Sequence, residues 1–253
     1  MNKLFMLLAK NKRQAEPRPI EMKGDEATLY IYDAIVSDDL SASYYGGVSA
    51  ESLVPQIRAI KGGTLHIRIN SPGGDVFAAQ AIVSANRDTN AKVIAHIDGY
   101  AASAATVIAT AADSVEISDG ALYMIHCGWT LAMGNASDMR ETANLLDKVD
   151  ATIVNQYAKR TNKTPEAIKA LMDAETWMDA SECVANGLAD AISEATKAKS
   201  QWDLSAYSNV PVQAAQPSPE HATEPPPAPK HITQEHREFL NRKLRLSELA
   251  THQ

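Results

Sequence analysis

The stretch TLHIRINSPGGDVFAAQAIVSANRDTNAKVIAHIDGYAASAATVIAT, residues 64–110, changes its hydrophobic period three times. Leu65, Ile67 and Ile69 alternate with polar residues, the two-residue period of a half-buried strand. After Ser-Pro-Gly-Gly, the run DVFAAQAIVSANR (75–87) carries its apolar residues at helical spacing, and AKVIAHID (91–98) returns to alternation. A second helix is then predicted around Ser103, a lone hydroxyl among alanines. Strand, helix, strand, helix in this order implies right-handed crossovers and a mostly parallel sheet with helices packed on it.

The pattern extends in both directions. ATLYIYD (27–33) reads as a strand, and SAESLVPQIRAIK (49–61) as a helix with Ser49 as its N-cap. Downstream, SVEIS and ALYMIH read as two short strands, and residues 137–160 as one long helix. TPEAIKALMD opens with Thr164 as cap and Pro165 at the first helical position, while DASECVANG stops at Gly187. From Lys199 the composition shifts to a Pro-rich stretch that reads as an extended linker, followed by a helical pattern in ITQEHREFLNRKLRLSELA. These shifts divide the chain into an N-terminal arm (1–26), a main domain (27–198), a linker (199–230) and a C-terminal helical segment (231–253). That last segment is expected either to pack back on the body or to bind a partner.

With 253 residues, 45% hydrophobic and 22% charged, the chain supports one good-sized core. A net charge of −7 and the lack of a basic cluster interleaved with aromatics argue against a nucleic-acid partner. Cys127 and Cys183 form no CxxC pair, which argues against a disulfide framework or a thiolate zinc site and fits a reducing cytoplasm. The opening MNKLFMLLAKNKRQ is too short to span a bilayer and lacks a cleavage site, so it reads as a mobile or partner-docking arm rather than a secretory signal. No membrane association is expected.

Chemistry concentrates at three places. In RINSPGGDVFAA the glycines between strand and helix permit a turn whose amides face a cleft, where they can stabilise an oxyanion; a plain tight turn is the alternative. A phosphate cradle is disfavoured because neither GxGxxG nor GK[ST] is present. Ser103, at the next strand-to-helix junction, is positioned as a nucleophile in a space cleared by alanines, or else lies in a closely packed helix. His126 ends an apolar strand as a candidate general base or a structural histidine.

Together INSPGGDV, GYAASAAT, MIHCG and ETWMDASECVANGLAD resemble the ClpP family of serine peptidases across about residues 27–194. The resemblance implies an α/β ClpP/crotonase-like fold of repeated β-β-α and βαβ units, with a mostly parallel sheet and a long handle helix over 137–160. It makes Ser103 the nucleophile, His126 the base and the amides of Gly74 and Ala104 the oxyanion hole. The acid falls on Glu175, where the family usually has Asp, with Asp173 as the fallback; a structural Glu175 at a helix start is the other reading. It implies a serine endopeptidase needing no metal or organic cofactor, acting on peptide or protein substrates from within homo-oligomeric rings, with a Clp-type ATPase as a partner.

The altered N-terminus, the ETW motif and the Pro-rich tail are most similar to the ClpP-like head maturation proteases of phages and prophages. That likeness implies a scaffold or capsid precursor as substrate and the bacterial or infected-host cytoplasm, or a prohead, as location. Three alternatives stand beside it: a Clp proteolytic subunit in protein quality control, an assembly protein that has lost activity, and a crotonase-like acyl-CoA enzyme.

Overall fold

A computed structural model describes residues 3–12, 18–194 and 202–211, all within the compact unit Met1–Pro217. The predicted segment 231–253 lies outside the described residues. In chain order the elements are α1 (Lys3–Lys10), β1 (Glu21–Lys23), β2 (Glu26–Ile31), β3 (Ile35–Val36), α2 (Asp39–Tyr45), β4 (Val48–Ser49) and α3 (Ala50–Arg58). They continue with β5 (Thr64–Ser71), α4 (Val76–Asp88), β6 (Lys92–Ala102), α5 (Ala104–Thr110), β7 (Ser114–Ser118) and β8 (Leu122–Ile125). The last are α6 (Ala136–Thr161), α7 (Pro165–Asp173), β9 (Thr176–Met178), α8 (Ala180–Ala185) and β10 (Ala191–Ser193).

The main sheet runs β1-β2-β5-β6-β7-β10, parallel at every pair except the antiparallel β1 and β2. The α/β architecture with a mostly parallel sheet is therefore as expected from the alternation. One face of the sheet is fully buried: Leu65, Ile67, Ile69, Ala95, Ile97, Val115 and Ile117, at alternate positions, are sealed from solvent, while the intervening His66, Arg68, His96 and Glu116 are half-buried. Helix starts follow the expected chemistry. Ser49 Oγ accepts from Ser52 N, Asp75 caps α4 through Phe77 N and Ala78 N, and Thr164 caps α7 through Ala167 N. Asn135 and Asp138 form a capping box on the long α6, one residue outside the predicted 137–160 at each end.

One feature of the sheet positions the site. The eleven-residue β6 pairs with β7 along Ile94–Ile97 and then with β8 along Tyr100–Ala102. The strand thus changes partner midway, and β8 in turn pairs antiparallel with β9. All seven residues of α5, which follows β6, are buried; five of them are Ala or Thr, whose small side chains let this helix sit inside the core.

The two ends depart from the sequence reading. Residues 21–26, assigned to the arm, form the β1–β2 edge of the sheet. Leu7 and Leu8 of α1 are buried, and Trp202, Leu204, Ala206 and Tyr207, assigned to the linker, are buried in a cluster with Leu7, Tyr100, Ala102 and Met124. The reason is local composition: SQWDLSAYSN precedes the prolines and carries enough apolar area to pack, about 2 kcal/mol per large side chain. Asn11 joins the two ends, donating through Nδ2 to Asp203 O at 2.9 Å and accepting from Asp203 N at 2.7 Å.

Candidate active site

Strand register brings the predicted residues together. Ala102 pairs with Met124 at the end of β6 and β8, and Ile125 pairs with Thr176 at the start of β9. Ser103, His126 and Glu175 are the next residues beyond these paired ends, on three adjacent strands. Ser103 Oγ and His126 Nε2 lie 2.7 Å apart, hydrogen-bonded. Ser103 sits in the left-handed region (φ 55), strained for a residue with a side chain and fixed by its amide donating to Met124 O at 2.9 Å. Such a strand-to-helix bend exposes a hydroxyl at its apex.

The Gly73–Gly74 turn closes against this bend. A Cβ on Gly73 (φ 93) would lie 2.7 Å from Ser103 Cβ and 2.6 Å from Ala102 O; one on Gly74 would lie 2.1 Å from Ile35 O. Glycine is required at both positions by the close approach. On its outer side the turn is bound to β3, with Ile35 N donating to Gly73 O and Asp75 N donating to Ile35 O. The ladder therefore leaves the Gly74 amide directed the other way, into the cleft that Gly74 lines with Ser103, Ala104 and His126. Ala104 begins α5, where an N–H has no acceptor within its own helix. Two amides beside a hydroxyl are the elements of an oxyanion hole. The cleft, about 190 Å³, continues into an apolar wall of Val107, Leu146, Val149 and Ile153.

Burial holds the His126 imidazole down at about 4, opposed by the negative charge of Glu175. It is therefore neutral at pH 7 and able to accept a proton. Glu175, also left-handed (φ 48), accepts at Oε1 from Ser208 N at 2.6 Å and Asn209 N at 2.7 Å. Among the described residues it acts on His126 through its charge rather than through a hydrogen bond. The fallback Asp173 is engaged elsewhere: its Oδ1 takes Lys169 Nζ at 2.5 Å and Cys127 Sγ at 3.2 Å. Burial raises Cys127 and Cys183 to about 12, so both remain thiols at neutral pH and neither is a competing nucleophile.

Tyr207 was absent from the sequence reading of the site. Its ring meets His126 edge-on at 5.4 Å and Trp177 at 5.9 Å, and its hydroxyl donates to Pro72 O at 2.5 Å. The signal for it was a tryptophan and a tyrosine five residues apart in a tail otherwise poor in core formers.

A strained serine hydrogen-bonded to a half-buried histidine on this fold is the arrangement expected of a serine peptidase, and comparison with known proteins agrees on that class. The pattern of the Clp protease family matches residues 48–196, more than half of the chain, and the chain belongs to that family as a serine-type peptidase. It is 33% identical over 132 residues to the ATP-dependent Clp protease proteolytic subunit of Streptococcus gordonii, covering 51% of this chain and 67% of that protein. Proteolytic subunit 1 of Chlamydia muridarum is 33% identical over 129 residues, covering 49% and 67%. A ClpP1 point mutant from Listeria monocytogenes superposes with a TM-score of 0.55 over 66% of this chain and 91% of that one, at 24% identity, which speaks to the fold. These relatives carry the Clp subunit name, which supports that alternative better than head maturation. Among the described residues no helix is long and apolar enough to cross a membrane.

Proposed function

We propose that the chain is a serine endopeptidase of the Clp proteolytic-subunit type, with Ser103 as nucleophile, His126 as base, Glu175 as acid, and Gly74 and Ala104 supplying the oxyanion amides. The observation that carries this reading is the 2.7 Å Ser103–His126 hydrogen bond in a cleft shared with Gly74 and Ala104. Ser103 attacks the peptide carbonyl while Nε2 takes its proton. The two amides hold the oxyanion, the imidazolium returns the proton to the leaving amine, and water then releases the acyl-enzyme. The apolar wall favours an apolar side chain beside the scissile bond. Leu131, Met133, Met139 and Leu145, exposed on and ahead of α6, support packing between copies in an oligomeric ring. A Clp-type ATPase is the partner suggested by the relatives' names.

The test is fluorophosphonate labelling and casein hydrolysis by wild type, Ser103→Ala, His126→Ala and Glu175→Ala, with and without a Clp-type ATPase. Loss of both signals in the first two variants is expected; unaltered hydrolysis in Ser103→Ala would refute the assignment. A second reading, head maturation with a capsid or scaffold precursor as substrate, is favoured by one observation. Two segments outside the matched span, 3–12 and 202–211, are joined to each other and line the cleft through Leu7 and Tyr207. Cleavage of such a precursor without any ATPase would favour it.

A further inference from the structure

Residues 202–211 touch the site at three points, each on a different catalytic component. Trp202 Nε1 donates to Asn70 Oδ1 at 3.3 Å and Tyr207 Oη to Pro72 O, so the segment is bound to the strand end and turn that carry Gly74. The Tyr207 ring backs His126. The amides of Ser208 and Asn209 converge on Glu175 Oε1, and Asn209 Nδ2 donates to Ala174 O at 2.8 Å, holding the backbone that carries Glu175. Trp202, Leu204 and Tyr207 are buried, which marks the segment as part of the packed body rather than a cover laid over it.

Glutamate has one more rotatable bond than the aspartate that the resemblance leads one to expect, so its carboxylate needs restraint before it can direct an imidazole. Two charge-assisted amide bonds to one oxygen provide it, fixing Oε1 and leaving Oε2 without a hydrogen bond among the described residues. We propose that residues 207–209 form a clamp that positions Glu175 and His126 for catalysis, the chain supplying from beyond its family-matched span the support that a longer acid requires. This rests on the peptidase reading above, and it makes Tyr207, Ser208 and Asn209 positioning residues that act through Glu175 and His126.

The test is a double-mutant cycle on the full chain. Asn209→Pro removes one amide donor to Glu175, and Asn209→Ala keeps the amide but removes the anchor to Ala174. Each is measured alone and combined with Glu175→Ala, by fluorophosphonate labelling rate and peptide kcat and KM, with thermal melting to confirm folding. Asn209→Pro is expected to lower kcat about tenfold with little change in KM, and Asn209→Ala to lower it less. Both effects should vanish in the Glu175→Ala background, because the group they act through is gone. Equal losses in both backgrounds would mean a merely structural segment. A rise in kcat would mean an inhibitory cover, and no change would mean no role; each of the three overturns the proposal. If Asn209→Pro does not fold, the Asn209→Ala cycle carries the same decision. Hydrolysis that survives Ser103→Ala would instead overturn the peptidase assignment, leaving the two failures distinct.

Discussion

The span 48–196 and two of the segments outside it, 3–12 and 202–211, contribute to one site by different means. Inside the span, Ser103, His126 and Glu175 stand just beyond strand ends, brought to one place by strand register. Outside it, 3–12 and 202–211 contribute through packing, burying Leu7, Trp202 and Tyr207 against Tyr100, Ala102 and Met124. Regular pairing brings the groups of a site together, and added segments can then adjust their solvation, rigidity and final orientation.

The strongest challenge to this division is Ser103→Ala, which should lower hydrolysis by about 10³-fold or more while leaving the melting temperature close to wild type. A smaller loss would mean that the register-built centre is not where the chemistry occurs. Next comes Gly73→Ala, whose added Cβ meets Ala102 O and Ser103 Cβ at a φ that disfavours any side chain. A loss of about 1–3 kcal/mol in stability is expected, with labelling slowed about 100-fold as the turn is pushed from the serine.

Tyr207→Ala probes the packed segment. A general base works only when neutral, so activity falls as pH drops through the His126 pKa, which burial holds at about 4. Admitting water to the ring should move this acid limb upward, toward about 6.5. The same depression means that between these values the unfolded chain binds the extra proton, so stability should fall with falling pH there, and less steeply in the variant. An unmoved limb would show that Tyr207 does not control the solvation of His126. The smallest effect belongs to Asp173→Ala, expected to change the labelling rate by less than about twofold because this exposed carboxylate is paired with Lys169. A loss matching that of Glu175→Ala would reverse their roles.

Much of the centre was legible in the sequence because periodic elements declare where they end. Alternation in TLHIRIN and AKVIAHID fixed the parallel sheet, and the ends of those runs pointed to the glycine turn and to Ser103. Glu175 was preferred to Asp173 through the family resemblance, since both stand near the end of α7; the structure adds that Lys169, one helical turn earlier, pairs with Asp173, and that β9 pairing sets Glu175 at a strand end. The role of SQWDLSAYSN was hidden for another reason. Its hydrogen bonds to Glu175 and Asn11 join residues 33 to 192 positions apart, and no local period records such a pairing.

The irregularity between β5 and β6 has a consequence for how this chain can vary in length. From Ile69↔Ile97 to Ser71↔Ala101, β5 advances two residues while β6 advances four. Both steps are even, so parity is kept and each strand continues to present the same face. Asn70 fills the gap, its Oδ1 accepting from Tyr100 N at 3.2 Å beside Gly99. Deleting Gly99 alone would make one step odd and turn Ser103 away from His126, although Ser103, His126 and Glu175 would all still be present. Deleting Asp98 and Gly99 together would restore facing but draw Ser103 back by about 7 Å. The centre is thus more exposed to changes in chain length within β6 than to many changes in residue type.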